Sequence, residues 1–241
     1  MVLLHGVGAR ADRWLRNLEA IAEAGYHVYA CDLPGHGFAS KGGGFAYSVP
    51  GYAMFVRSMA EALEIESMSL IGTSLGAQIA ARVTCETPDR IERLAMVGAL
   101  GLEPLGERGR EFGRLITDTS MVGVEAKLSA MVGGAEVVPR EWIEEEYRVN
   151  NSPGAAESFA ELARYFDEGI DEDVVIEDLA RVDVPVLLLW GVDDVAVPVE
   201  IGRRSVALLS RGRLEEIARA GHVPYYVQPD RFNELILEFL A

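Results

Sequence analysis

Short apolar runs alternate with longer amphipathic stretches along most of the chain. The apolar runs have the length of buried strands and stand at residues 2–4, 27–33, 67–71, 94–97, 184–190 and 214–218. Between them, apolar residues recur with the spacing of one helix face at 12–24, 50–63, 75–86, 198–209 and 229–240. Strands and helices that alternate in this way are typical of a parallel sheet with crossover helices. The pattern therefore predicts an α/β fold.

The pattern changes between about residue 101 and residue 176. Strand-like runs give way there to amphipathic helical stretches, the clearest being the i, i+3, i+4, i+7 series Phe159, Leu162, Ala163 and Phe166. The pair Ser152-Pro153 before this series is typical of a helix N-cap and first turn. We therefore predict that 1–100 and 177–241 form one α/β core and that 101–176 form a helical insertion.

The composition is that of an ordinary globular protein with an acidic surface. Hydrophobic residues make up 49% and charged residues 25%, and no apolar run reaches the roughly 18 residues of a membrane span. Asp and Glu number 38 against 22 Lys and Arg, which gives a formal net charge of −16. Such a surface repels phosphate backbones and anionic lipids. We therefore expect neither nucleic acid nor a membrane as a partner.

Cysteine and lysine usage adds two expectations. Cys31 and Cys85 are too few for a disulfide framework, and neither has the spacing of a metal ligand. With no secretion signal at the first residues, we expect a reducing, cytoplasmic location. Only Lys41 and Lys127 are lysines. Two interpretations of the acidic excess and the scarcity of lysine relative to arginine stay open: adaptation to high salt, or a GC-rich genome that favours arginine codons.

The motif with the clearest chemistry is Gly72-Thr73-Ser74-Leu75-Gly76. It matches the G-x-S-x-G pattern and stands between a predicted strand and a predicted helix, which is the context that the pattern requires. The glycines allow a sharp turn that projects the serine hydroxyl outward, and the helix N-terminus behind it favours negative charge. Ser74 is therefore a candidate nucleophile.

A second glycine-containing loop, His5-Gly6-Val7-Gly8, follows the first predicted strand. A loop there can direct a backbone N–H to the same point as the N–H of Leu75, and two such donors form an oxyanion hole. Val7 is our candidate for the second donor. We expect His5 to be a structural hydrogen-bonding residue rather than a catalyst.

A serine nucleophile needs a base, and the base needs a carboxylate that orients it. Asp193 and Asp194 both follow the apolar strand 184–190, and both qualify by position. Among four histidines, His222 alone lies on a loop after these acids. The chain order Ser, Asp, His, with each residue after a strand, predicts a catalytic triad. Because the carboxyl ends of parallel strands meet at one edge, these residues are expected to converge.

These motifs, together with the run Asp-Leu-Pro-Gly-His-Gly at 32–37, resemble the α/β-hydrolase superfamily over essentially the whole chain. The resemblance implies a mostly parallel sheet flanked by helices, with 101–176 as a helical cap. It also implies that Ser74 is the nucleophile, His222 the general base and acid, and Asp194 the orienting acid. Asp194 is favoured over Asp193 because the family places its acid three residues after a strand-end glycine. The oxyanion donors would be the amides of Val7 and Leu75.

The chain departs from the family pattern at its beginning. Family members usually carry a β-hairpin before the strand that enters the His-Gly loop, whereas this chain starts inside that strand. The strand at 27–33 is then expected to be an exposed, hydrophobic edge. We therefore expect either an incomplete N-terminus or a homo-oligomer contact through 27–33.

The sequence indicates the substrate less clearly than it indicates the catalytic mechanism. Large apolar residues in the predicted cap favour a small, largely apolar carboxylic ester or related acyl compound, cleaved through an acyl-enzyme intermediate. The alternative is hydrolysis of a carbon–carbon bond in a ring-cleavage product, because the stretch 147–154 resembles cap segments of those enzymes. Against it, they commonly carry Trp after the catalytic His, where this chain has Val223. Their substrates also need a cation, for which the candidates are Arg110, Arg114, Arg148 and Arg164.

A ligand receptor without turnover is a further alternative, because some relatives of this kind serve that role. The intact set of three catalytic residue types argues against it. The partner that we expect is a small-molecule substrate. We expect no metal and no organic cofactor, since the sequence contains no ligand cluster and no phosphate-binding loop.

Overall fold

A single parallel sheet organises the chain. The computed structural model describes residues 1–132 and 138–241. The strands in this part pair in the order β2-β1-β3-β4-β5-β6, and every pairing is parallel. Their bounds are β1 (Val2–Leu4), β2 (Tyr29–Cys31), β3 (Met68–Thr73), β4 (Ile91–Val97), β5 (Val186–Gly191) and β6 (Gly212–Ile217). The predicted α/β architecture is confirmed.

Alternate residues of the strands face two separate layers of helices, because successive side chains of a strand point to opposite faces. Leu4, Leu70 and Leu188 lie in one apolar cluster with residues of α2 and α3. Leu3, Ile71 and Leu189 lie in the other, with Trp14, Ile21 and Phe232. Every residue of β3 and β5 is buried, as expected for a parallel sheet that is covered on both faces.

Helices lie between successive strands along the chain and after the last strand. Their bounds are α1 (Leu15–Glu23), α2 (Val49–Ala62), α3 (Leu75–Glu86), α4 (Glu107–Thr117), α5 (Met121–Val132), α6 (Arg140–Asn150), α7 (Ala155–Glu168), α8 (Ile176–Leu179), α9 (Val199–Ser205), α10 (Pro224–Val227) and α11 (Pro229–Leu240). Short 3-10 turns occupy Ala11–Trp14, Pro88–Arg90, Ile170–Asp173 and Val206–Leu208. None of the helices in the described ranges is both long and apolar enough to cross a membrane.

Five of these helices, α4 to α8, lie between β4 and β5, and we refer to α4–α7 as the helical segment. Phe159, Leu162 and Phe166 of α7 belong to the same buried cluster as Tyr52 of α2, so the segment packs directly on the core. Ser158 adds a polar contact, because its Oγ accepts a hydrogen bond from the Gly42 N–H at 2.8 Å. The predicted insertion at 101–176 also includes 133–137, which lie outside the described residues.

Two local predictions are corrected by the structure. Ser152 is not the N-cap of α7, because that helix begins at Ala155 after Gly154, whose φ of +81° turns the chain sharply between α6 and α7. The Ser152 hydroxyl instead donates to the Val149 carbonyl of α6, at 2.7 Å. The strand predicted at 27–33 is shorter than expected, since β2 covers only Tyr29–Cys31. It lies at the end of the strand order and is half-buried.

The central position of β5 predicts a large stability cost for removing apolar volume there. Leu188 is fully buried within this strand, so Leu188→Ala should lower the free energy of unfolding by about 2–5 kcal/mol. Leu208 is 59% exposed, and Leu208→Ala should stay within about 0.5 kcal/mol of the unsubstituted protein. Urea denaturation of the three proteins measures the difference. Equal stabilities of the two variants would contradict the assigned core.

Candidate active site

Ser74 occupies a strained turn between β3 and α3. Its backbone has φ +54° and ψ −120°, a conformation that non-glycine residues rarely adopt and that costs free energy. Hydrogen bonds hold it there: the Ser74 N–H donates to the Val97 carbonyl at 2.9 Å, and the Ser74 carbonyl accepts from Leu100 at 3.3 Å. The neighbouring ends of β3 and β4 therefore fix the direction of the serine side chain.

The two glycines of the motif are required by close packing around this turn. A side chain at position 72 would collide with the carbonyl oxygen of Gly76, and one at position 76 would collide with the carbonyl oxygen of Leu4. The turn therefore lies directly against the end of β1. This contact brings the loop after β1 to the side of Ser74. The nearest atoms that a side chain on Gly6 would meet are the Ser74 Cβ at 3.1 Å, the Thr73 carbonyl oxygen at 3.4 Å and the Ser74 Oγ at 3.7 Å.

His222 and Asp194 form a buried pair at the same edge of the sheet. The distance from His222 Nδ1 to Asp194 Oδ2 is 2.7 Å, and the side chains are 4% and 0% exposed. The other carboxylate oxygen, Oδ1, accepts hydrogen bonds from the N–H groups of Ala196 and Val197, each at 2.9 Å. Asp194 is therefore fixed on both oxygens and can orient the imidazole. Asp193 is exposed instead.

The end of β4 joins Ser74 to this pair, although no motif in the sequence marks it. Gly98 follows Val97, which is the hydrogen-bond acceptor for the Ser74 N–H. A Cβ on Gly98 would lie 3.0 Å from Asp194 Oδ2 and 3.1 Å from His222 Nδ1. The structure thus brings Ser74, Asp194 and His222 to one place. No hydrogen bond joins the Ser74 hydroxyl to the imidazole within the part of the chain that the structure describes, and such bonds often tighten only when substrate binds.

The two predicted oxyanion donors follow residues of this turn and loop: Leu75 follows Ser74, and Val7 follows Gly6, which packs against Ser74. Leu75 begins α3, so its N–H belongs to the first helical turn, where amides have no acceptor within the helix. Val7 lies in the turn that the Ala9 N–H closes on the Gly6 carbonyl at 3.2 Å. We call residues 6–9 the oxyanion-side loop. Its conformation decides where the Val7 N–H points.

His5 acts on this loop through structural hydrogen bonds. Its Nε2 accepts a hydrogen bond from the Leu33 N–H at 3.0 Å. The ring proton is therefore on Nδ1, which donates to the Gly6 carbonyl at 2.8 Å. Complete burial lowers the pKa of His5, which favours the neutral ring that this arrangement needs. His5 therefore connects the oxyanion-side loop to the segment that follows β2.

Four charged side chains form a buried ion cluster beside this loop: Arg10, Arg13, Lys127 and Glu146. Glu146 of α6 is fully buried, and its Oε2 lies 2.6 Å from Arg13 Nη2 and 3.6 Å from Arg10 Nε. Its Oε1 lies 3.2 Å from Lys127 Nζ, and the same Nζ donates to the Gly8 carbonyl at 3.1 Å. The cluster therefore links the helical segment to the oxyanion-side loop.

The three cations keep the buried carboxylate ionised. Burial raises the pKa of Glu146, but the charges of Lys127, Arg13 and Arg10 lower it by more, so it lies below its ordinary value. At the rim, Asp12 and Glu145 lie 2.8 Å and 3.1 Å from Arg10 Nη2. The charges within the cluster and its rim therefore balance.

The cation that contacts the candidate site is not one of those selected from the sequence. Arg110, Arg114, Arg148 and Arg164 are all exposed. Lys127, by contrast, is buried at the oxyanion-side loop and also lines a cavity of about 400 Å³ with apolar Leu115, Met131 and Val195. The one signal that could have found it is its rarity, because it is one of two lysines.

The cavity lies next to the candidate catalytic acid. Ala196, which donates its N–H to Asp194, is part of the lining, and Arg108 and Glu111 of α4 with Ala130 of α5 complete it. Such a cavity can hold a small apolar group together with an anion. Within the ranges 1–132 and 138–241, no three His, Cys, Asp or Glu side chains are arranged to hold a metal ion.

Comparisons with known proteins find similarity to hydrolases. A sequence model of the alpha/beta hydrolase family matches residues 1–235. The chain is 27% identical over 250 residues to a 2-hydroxy-6-oxo-2,4-heptadienoate hydrolase of Pseudomonas putida, with all of this chain and 88% of that protein covered. It is 26% identical, with a TM-score of 0.86, to a meta-cleavage product hydrolase from Pseudomonas fluorescens, covering 99% of this chain and 89% of that one. A membrane phospholipase A, described as a bacterial virulence factor, is 27% identical, with a TM-score of 0.83 and coverage of 99% and 77%.

The lowered pKa of Glu146 predicts a pH-dependent stability. The ionised carboxylate should stabilise the fold fully above its ordinary pKa of about 4.5, and this contribution should be lost as pH falls through the lowered pKa of the folded state. Glu146→Gln should therefore destabilise the protein by about 3–5 kcal/mol at pH 7, and the difference should shrink in acid. Urea denaturation at pH 7 and at about pH 4 measures it.

The matched control is Glu144→Gln on the same helix. Glu144 pairs with Arg140 at the surface, at 2.9 Å, and an exposed pair contributes only about 0–1 kcal/mol. The groups that face Glu146 are Arg10 and Arg13 after β1, Lys127 on α5 and Asn150 on α6 itself. A stability difference for Glu146→Gln that does not change with pH would contradict the assigned charge state.

Proposed function

The chain belongs to the alpha/beta hydrolase family, and from this premise we propose that it hydrolyses a carbon–carbon bond in a ring-cleavage product. The observation that carries the proposal is the likeness, over the whole chain, to a hydrolase of 2-hydroxy-6-oxo-2,4-heptadienoate and to a meta-cleavage product hydrolase. This was the alternative interpretation of the sequence, and these relatives favour it over the ester hydrolase that we placed first. In the proposal, the helical segment is a cap over the site.

Ser74, His222 and Asp194 carry the proposed chemistry as a catalytic triad. Asp194 accepts the Nδ1–H of His222 and so leaves Nε2 free to take a proton. His222 would remove the Ser74 hydroxyl proton as the oxygen attacks a ketone carbon. The N–H groups of Val7 and Leu75 would then stabilise the resulting oxyanion, each by roughly 3–4 kcal/mol.

A carbon leaving group must be stabilised, and a 2-hydroxy-6-oxo-dienoate provides that stabilisation itself. In its 2-keto tautomer, carbon 5 is a CH2 group that is joined to the carbonyl at carbon 2 through the double bond between carbons 3 and 4. When the tetrahedral adduct collapses, the bond between carbons 5 and 6 breaks and its electron pair moves onto that carbonyl oxygen. The enolate takes up a proton, which protonated His222 can supply. Water activated by His222 then releases the acid from Ser74, so that one water is consumed for each bond cleaved.

The cavity beside Asp194 supports an anionic substrate that is otherwise apolar. Leu115, Met131 and Val195 provide an apolar lining. Arg108, which shares the wall with Glu111, is the cation that a carboxylate would meet, because the Lys127 ammonium is already paired with Glu146. A dienoate of this class has one carboxylate on a short hydrocarbon chain, which fits that combination.

An ester hydrolase is the second candidate, and two observations favour it. The solved membrane phospholipase A is as similar in sequence to this chain as the ring-cleavage relatives are. Val223 also follows His222, where ring-cleavage hydrolases commonly carry Trp. The same triad and oxyanion donors serve both reactions, so the substrate alone separates the two.

The first test compares turnover of 2-hydroxy-6-oxo-2,4-heptadienoate with turnover of p-nitrophenyl acetate. We expect faster cleavage of the dienoate, and Ser74→Ala should lower kcat on it by about 10⁴–10⁶-fold with the circular dichroism spectrum unchanged. Ser69→Ala, which alters a buried serine on the same strand, is the control and should keep its activity. Preference for the ester would select the second candidate. Saturable binding without turnover would select a receptor and overturn both.

The second test separates the two candidate acids. Asp194→Asn should lower kcat by up to about 10⁴-fold, because the amide would hold the wrong tautomer of His222. Asp193→Asn should leave kcat nearly unchanged, because Asp193 is exposed. Steady-state kinetics of both variants measures this. The reverse pattern would move the acid role to Asp193.

A further inference from the structure

The oxyanion-side loop is held by side chains of the helical segment as well as by the sheet. Lys127 Nζ donates to the Gly8 carbonyl at 3.1 Å, and Gly8 is in the left-handed conformation at φ +64°. Val7 and Gly8 are the central residues of the turn that Ala9 closes on Gly6. The Gly8 carbonyl and the Ala9 N–H belong to one peptide group, and the Gly6 carbonyl that accepts from Ala9 belongs to the peptide group that carries the Val7 N–H. A displacement of the Gly8 carbonyl is therefore passed to the Val7 N–H through this hydrogen bond.

Glu146 extends this contact to the residues that follow the loop. It binds Lys127 through Oε1 and Arg13 through Oε2, while Arg10 Nε lies 3.6 Å from Oε2. Lys127 comes from α5, Glu146 from α6, and the two arginines from the stretch after β1. The helical segment therefore holds the loop at Gly8 and the residues that follow the loop at Arg10 and Arg13.

Stability alone does not account for this arrangement. Removing four charged side chains from water costs several kcal/mol for each ion, and apolar residues of similar volume are often as stabilising or more so. What an ion cluster provides is fixed geometry, because the direction of each hydrogen bond constrains its partner. The constrained partner here is the loop that presents a predicted oxyanion donor.

We propose that Lys127 and Glu146 are positioning residues, which act through the Gly8 carbonyl and the two arginines to set the direction of the Val7 N–H. This rests on the proposed function of Ser74 and of the oxyanion donors. It makes the helical segment part of transition-state stabilisation as well as of substrate enclosure. A donor that is displaced by about 1 Å can cost on the order of 10²-fold in rate.

The proposal is tested with Lys127→Met, which keeps an unbranched side chain as far as the ε position and removes the ammonium group with its donors. We expect kcat to fall by about 10–100-fold with little change in KM. The loss should be equal for an anionic dienoate and for neutral p-nitrophenyl acetate, because the oxyanion is common to both. A loss restricted to the dienoate, with a raised KM, would show that Lys127 binds the substrate carboxylate instead, and would overturn the positioning role.

The matched control is Tyr47→Phe. Tyr47 OH lies 2.8 Å from Ser158 Oγ of α7, so this variant also removes a polar contact between the helical segment and the core, away from the oxyanion-side loop. We expect its kcat to be unchanged even if its melting temperature falls. If both variants lose the same activity, the effect is general loosening of the segment and the proposal is wrong.

A fluorophosphonate probe separates failure of this proposal from failure of the proposed function. The unsubstituted protein should be labelled on Ser74, and Lys127→Met should be labelled about 10–100-fold more slowly while folded. No labelling of the unsubstituted protein would reject the serine mechanism itself. Normal labelling of Lys127→Met would reject only the positioning role. Should Lys127→Met fail to fold, the milder Lys127→Gln replaces it, and its labelling rate is compared with that of the unsubstituted protein in the same way.

Discussion

The left-handed backbone of Ser74 is the constraint on which the rest of the site depends. A serine at φ +54° is unfavourable on its own. It persists because Val97 and Leu100 bind its backbone and because Gly72 and Gly76 let the neighbouring chain approach closely. The same contacts that stabilise the turn bring the ends of β1 and β4 to the serine side chain. The contacts that hold Ser74 in its strained conformation are therefore the same contacts that bring the groups of the site together.

Convergence also follows from the parallel sheet. The oxyanion-side loop, Ser74, Gly98, Asp194 and His222 follow β1, β3, β4, β5 and β6, and the carboxyl ends of parallel strands meet at one edge. Groups that are far apart in the chain thus become neighbours without any long connection. The helical segment reaches the same edge through Lys127 and Glu146. The local charge there differs from the net charge of −16, because the three cations of the cluster balance Glu146 together with the rim carboxylates Asp12 and Glu145.

The sequence predicts much of this arrangement, and the limits have physical reasons. Ser74 and its two glycines form a local motif, so their turn can be inferred from adjacent residues. The strands could be placed from apolar runs, whereas β2 is shorter than its run at 27–33 because it pairs only with β1, which is three residues long. Gly98 carries no local signal, since its small size matters only against His222 and Asp194. Lys127 and Glu146 were missed because pairing between α5 and α6 depends on tertiary packing. The N-cap at Ser152 was wrong because Gly154 provides the turn instead.

The most direct measurement of the central claim is a crystal structure of the protein after reaction with a fluorophosphonate. We expect phosphorus bonded to Ser74 Oγ, with a phosphonyl oxygen roughly 2.7–3.1 Å from the N–H groups of both Val7 and Leu75. We also expect His222 Nε2 within hydrogen-bond distance of the serine or the adduct. Phosphorus on another residue, or a phosphonyl oxygen turned away from both amides, would contradict the central claim.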